Sequence, residues 1–193
     1  MNRYYHMIMP PYWQQYQYWR PFFNRYYNKL PQIHSNNVAV ARMSGGPLAP
    51  QITGNVYFKD VPGGTEVCAR INGLPPYRPA QNGQQPIGPH GFHIHEFGNC
   101  DIGDPDNPFQ AAGNHWNPDN QPHGNHAGDF PVLFSNSGYA QMCFFTNKFK
   151  VADALGKAVI IHQNPDDYRT QPTGNTGKRL ACGIIRGVSR IVF

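Results

Sequence analysis

Apolar and polar positions alternate with a period of two in TEVCARINGL (65–74). Val67, Ala69 and Ile71 fall on one side, Cys68 and Arg70 on the other. That period belongs to a strand, because successive side chains of an extended chain point to opposite faces. AVARM (39–43), ITGNVYFKDV (52–61) and GFHIHEF (91–97) carry shorter or partial versions of the pattern. SGYAQMCFFTNKFKV (137–151) is a further strand region, in which Ala140, Met142 and Phe144 share a face and Cys143 lies opposite. KAVIIH (157–162) is a continuous apolar run of strand length, and RLACGIIRGVSRIVF (179–193) is the last strand region. SGGPLAP and PGG punctuate the first runs as turns. The pattern predicts an all-β domain, a sandwich or barrel of short strands. A polar loop spans 75–89, and two longer ones span 98–131 and 163–178. Loops of that length in a compact domain are commonly functional.

Composition sharpens this. Charged residues make up 14%, while glycine (20) and proline (19) supply turns. The formal net charge is +5, and Arg3, Arg20, Arg25 and Lys29 provide four of those charges before the first acid, Asp60. The excess therefore belongs to an aromatic N-terminal arm, residues 1–37, ahead of a domain at 38–193. Seven tyrosines, two tryptophans and two phenylalanines crowd residues 1–34 without a helical or strand period. Such a segment suits self-association or burial in a protein layer, and equally an unstructured tail. Its cations are sparse among Tyr and Gln, so no nucleic-acid partner is expected. No apolar run approaches the ~20 residues of a membrane span, and no signal-peptide core follows Arg3.

Chemistry concentrates at residues 90–129. Six of the nine histidines fall there: His90, His93, His95, His115, His123 and His126, with Asp129 closing the run and His162 following on a later strand. His93 and His95 are two apart and share a strand face. His123, His126 and Asp129 with one further histidine make an N3O set suited to zinc. His93, His95 and His162 with that same histidine make an all-nitrogen set suited to Cu(II). His115 lies between the groups, and a deprotonated imidazole can serve two metals through its two nitrogens.

These stretches, HGFHIHEFG (90–98), GNHWNP (113–118), HAGD (126–129), IIHQNPDD (160–167) and GNTGKRLACGII (174–185), resemble copper/zinc superoxide dismutases in five places and in the same order. The resemblance covers about residues 38–193. It implies an eight-stranded Greek-key barrel and the cofactors copper and zinc. It implies copper ligands His93, His95, His115 and His162, and zinc ligands His115, His123, His126 and Asp129. Arg179 matches the arginine that guides superoxide to copper, and His115 the bridging histidine that also carries a proton. Asp166 matches the aspartate linking a copper histidine to a zinc histidine, and His90 a structural histidine beside the site. Cys100 and Cys182 match the family's intrasubunit disulfide. His6 and His34 match nothing in the family.

Four departures stand out. Only Gly124 and Asn125 separate His123 from His126, so zinc coordination depends on a tight turn at positive φ. Arg169, Lys178 and Arg179 give the 163–178 region a positive balance for steering an anion. Cys68 and Cys143 lie outside the family pattern, outward-facing on strands that neighbour each other in Greek-key order. They either pair or stand as two surface thiols. The arm resembles, by composition alone, the Tyr-rich tails of some bacterial spore-coat proteins.

The leading expectation is therefore an oxidoreductase that disproportionates superoxide. The alternatives are a metal-binding structural protein of a coat layer, or a metal store. A complete ligand set with Arg179 favours the enzyme. Self-association through the arm and a homodimer are the partner expectations beside superoxide. The expected location is cytoplasm or spore coat.

Overall fold

The computed structural model describes residues 37–188. The aromatic arm, apart from Asn37, and the last residues of the chain lie outside them. Seven strands form one antiparallel sheet: β1 Val38–Gly45, β2 Thr53–Val61, β3 Gly64–Asn72, β4 Phe92–His95, β5 Ala140–Thr146, β6 Ala158–His162 and β7 Arg179–Gly187. Their order is β4-β6-β7-β1-β2-β3-β5. Consecutive β1, β2 and β3 pair as a meander, whereas β4 is carried to the far edge beside β6.

The alternation of 65–74 does what its period dictates. Val67, Ala69 and Ile71 are wholly buried, and Glu66, Arg70 and Asn72 are exposed. The sheet curls so that its two edges share one core. Phe92 of β4 meets Phe130 with ring centroids 5.2 Å apart, and Phe130 meets Phe144 of β5 at 4.9 Å. Both distances lie in the favourable range for tilted aromatic pairs. Side chains thus bridge the gap that no backbone ladder fills.

The described residues hold seven strands where the resemblance implied eight. The stretch 129–139, between β4 and β5, holds only isolated pairings: His93 with Asp129, His90 with Leu133, and Asn136 with Tyr139. Pro131 lacks an amide donor, so a continuous ladder is broken there. The strand region 137–151 is also shorter than its apolar content suggests. β5 stops at Thr146, and a single helical turn, α1, follows at Val151–Ala154. Polar caps fix that turn: Lys150 N donates to Asp153 Oδ2 at 2.9 Å and Val151 N to Asp60 Oδ1 at 2.8 Å.

All four side chains of β4 are buried. Phe92 and Ile94 enter the main core, while His93 and His95 face the other way, toward the long loops. This placement of β4 positions the site.

Candidate metal centre

Strands and loops divide the work of holding the histidines. His93 and His95 are fixed by the β4–β6 ladder, with His93 opposite Ile160. His162 ends β6, where the pairing with β7 shifts register between Ile161 and His162. His115 comes from the long loop but runs beside β4, since Trp116 N donates to Ile94 O at 2.8 Å and Glu96 N to Asn114 O at 3.0 Å. The ligand atoms of His93, His95, His115 and His162 lie within 4.8 Å of one another. So do those of His115, His123, His126 and Asp129.

Side-chain hydrogen bonds hold the second group. Asp129 Oδ2 accepts from Gly124 N at 2.9 Å and His126 N at 3.0 Å. His123 N donates to Gln171 Oε1 at 2.8 Å. Gly124 takes φ 90°, and a Cβ there would stand 2.6 Å from the Tyr168 carbonyl oxygen. The tight turn is therefore closed by glycine alone; Asn125 keeps a negative φ.

Asp166 joins the two groups. Its Oδ2 accepts from His93 Nε2 at 2.7 Å and its Oδ1 from His123 Nε2 at 2.8 Å. Those bonds put the proton of each ring on Nε2 and leave a lone pair on each Nδ1. His93 Nδ1 and His123 Nδ1 are buried with no hydrogen-bond partner, as are His115 Nε2 and His126 Nδ1. His95 Nδ1 donates to Gly113 O at 2.9 Å, so its Nε2 also presents a lone pair, 3.2 Å from His162 Nε2. His123 Nδ1 and His126 Nδ1 each stand 3.3 Å from a carboxylate oxygen of Asp129.

Lone pairs facing lone pairs and a carboxylate repel unless cations lie between them. Burial holds His93, His95 and His162 well below their ordinary pKa, reinforced by neighbouring imidazoles. Among these three rings protonation therefore does not supply the cation near neutral pH. Burial alone would raise the Asp129 carboxyl. The His115 hydrogen bond and the neighbouring imidazoles of His123, His115 and His126 overcome that and hold it far below the usual carboxylate range. Four neutral nitrogens fit copper, and three nitrogens with an ionised carboxylate fit zinc.

Arg179 opens β7 beside this cluster. Its Nη1 donates to Phe109 O at 2.6 Å and its Nη2 to Gly113 O at 2.7 Å. Its partners are carbonyls, so its charge is not neutralised by a carboxylate. A cavity of about 530 Å³ is lined by His95, His115, His162 and Arg179, together with amides such as Gln85, Asn107 and Asn175. Of the three cations expected to steer an anion, only Arg179 lines it; Lys178 Nζ instead donates to Asp106 O at 2.7 Å.

A family profile described as copper/zinc superoxide dismutase matches residues 52–185. The chain belongs to the copper/zinc superoxide dismutase family. It is 35% identical over 157 residues to the Cu-Zn superoxide dismutase of Deinococcus radiodurans, covering 72% of this chain and 80% of that protein. The solved structure of the Cu/Zn superoxide dismutase from Brucella abortus superposes with TM-score 0.63 at 29% identity, covering 77% of this chain and 99% of that one. A double mutant of a SOD-like protein from Bacillus subtilis superposes with TM-score 0.58 at 30% identity, covering 77% and 97%.

His90 sits beside this dismutase-like centre. It is buried, and its Nδ1 bonds the His162 carbonyl oxygen at 2.9 Å, holding the backbone of the β6 histidine. Disulfides join Cys100 to Cys182 and Cys68 to Cys143. Nothing in the residue pattern marks Phe109 O and Gly113 O, the carbonyls that seat Arg179, because a backbone acceptor has no residue signature. Gln171 was equally hidden, 48 residues from the amide it holds.

Proposed function

We infer that this chain disproportionates superoxide to dioxygen and hydrogen peroxide, with copper at His93, His95, His115 and His162, and zinc at His115, His123, His126 and Asp129. The relatives named as Cu-Zn superoxide dismutases support the reaction. The observation that carries the residue roles is the set of buried, partnerless imidazole lone pairs beside an unneutralised arginine.

Copper, when bound, supplies the one-electron couple that oxidises one superoxide and reduces the next. Arg179 docks the anion at the cavity and holds it against the His95 and His162 rings. Its guanidinium is preorganised by two carbonyls, so it needs no rearrangement on docking. His115 Nε2 holds one of the two protons that the peroxide requires, and solvent in the cavity supplies the other. Asp166 positions His93 and His123, and Gly113 O ties the orientation of His95 to that of Arg179.

Protein reconstituted with copper and zinc removes superoxide, and His162→Ala lowers that rate by more than the roughly 100-fold at the top of the range for outer-shell partners. Equal rates for the two proteins end this reading. Arg179→Ala lowers kcat/KM by roughly 10-fold to 10³-fold at low salt, and its rate loses the ionic-strength dependence of the parent. A rate unchanged at low salt removes the docking role.

Among the described residues no helix is long and apolar enough to cross a membrane. The composition of residues 1–34 supports self-association, as a homodimer or within a coat layer. Deletion of 1–34 without change in oligomeric state or cellular location removes that part of the reading.

A further inference from the structure

We propose that the Cys68–Cys143 disulfide is a thiol-exchange site, where a low-molecular-weight thiol attaches reversibly to the outer face of the barrel. The two disulfides differ in access. Cys182 is 3% exposed and packs with Phe109, Ala112 and Ile160 under the long loop, with Cys100 against the same cluster. Cys143 is exposed and Cys68 half-buried, both pointing away from the core that takes Val67, Ala69, Met142 and Phe144. Access to sulfur decides which disulfide a thiolate reaches first.

Direction of approach selects the sulfur. A thiolate attacks in line with the S–S bond, from the side opposite the leaving sulfur. Cys68 and Cys143 are directly opposed across β3 and β5, with Cα atoms 4.1 Å apart. Attack on Cys143 Sγ therefore comes from beyond β5, the last strand of the sheet, which among the described residues pairs along one side only. Attack on Cys68 Sγ has to come over β2, where Tyr57 stands in register with it. Arg70, two residues along on the same outward face, places a cation beside the thiolate that departs from Cys68.

The step balances. The incoming thiolate forms a new S–S bond to Cys143, the Cys68–Cys143 bond breaks, and its electron pair leaves as the Cys68 thiolate. The reverse step is built in. The ladder from Thr65–Thr146 to Ile71–Ala140 keeps the two residues opposed, so Cys68 re-attacks Cys143 Sγ and expels the thiol. None of the candidate metal ligands lies on β3 or β5, so exchange leaves the metal centre intact.

The test uses the copper- and zinc-loaded protein in graded reduced glutathione, quenched by alkylation and mapped by peptide mass spectrometry. The expected result is one glutathione on Cys143, an alkylated Cys68, an intact Cys100–Cys182 bond, and a superoxide-removal rate within about twofold of the untreated protein. Removing the thiol restores the Cys68–Cys143 bond. Cys68→Ser, loaded with glutathione disulfide, keeps its adduct on Cys143 after the same removal. Glutathione on Cys68 instead of Cys143, opening of Cys100–Cys182 at equal or lower thiol, no adduct at any thiol concentration that leaves the protein folded, or equal persistence of the adduct in the two proteins overturns the proposal.

Discussion

The two ligand quartets share His115 and are held by different forces. His93, His95 and His162 stand on β4 and β6, and cross-strand pairing places their backbones. His123, His126 and Asp129 stand on a loop, where a carboxylate, an amide side chain and one glycine turn do that work. A ladder distributes its constraint over many bonds, so losing one side-chain contact moves little. A loop geometry resting on a few polar contacts fails at any one of them. The difference teaches that metal retention is asymmetric: the strand-held site tolerates outer substitutions that the loop-held site does not.

Asp166→Asn tests this hardest, because Asp166 touches one member of each quartet. An amide keeps one acceptor oxygen and replaces the other with a donor, so at most one of the two Nε2–H bonds survives. Zinc affinity falls roughly 10- to 100-fold, while copper affinity falls less. Competition against a chelator, read metal by metal, checks this; a larger loss of copper breaks the comparison.

Gly124→Ala is narrower, since it touches only the loop-held group. Positive φ and the clash with the Tyr168 carbonyl together cost about 1–3 kcal/mol. Zinc retention drops, and superoxide removal by protein supplied with excess zinc returns toward the parent rate. Unchanged zinc retention would show that the turn has another route to closure.

The smallest effect is on the metal-free protein and concerns the strand-held rings. Burial lowers His93, His95 and His162 below the ordinary 6.5 in the folded state. The unfolded chain therefore binds more protons once pH drops below about 6.5, and stability falls there while staying full above it. Asp129, held below its ordinary 3.8, adds a loss in the same direction only at far lower pH. A denaturant midpoint that fails to fall between about pH 7 and pH 5.5 contradicts the neutral assignment of the strand histidines.

Much of the fold was legible where the period was clean. The inner faces of β3 and β5 and the buried run of β6 follow from alternation and apolar content, because those signals are local. The missing eighth strand was not legible in the same way. Residues 129–136 contain enough apolar side chains for a strand, yet Pro131 and the attachments of Asp129 leave only scattered pairings. The placement of the basic side chains was not legible either. Lys178 neighbours Arg179 in sequence, but it stands in the bend before β7, and its Nζ ends on Asp106 O while Arg179 opens the strand and lines the cavity.

By itself, then, the sequence determined the inventory: which histidines and aspartates exist, which of them share a strand face, and the order of the motifs that mark the family. Those are properties of spacing along the chain. Tertiary structure alone decided which ring nitrogen carries a proton, which carbonyls seat Arg179, and that Cys68 and Cys143 are joined rather than left as separate thiols. Each depends on partners tens of residues away. Only burial, by removing water as an alternative partner, turns the placement of those partners into a specific arrangement of lone pairs, protons and charge.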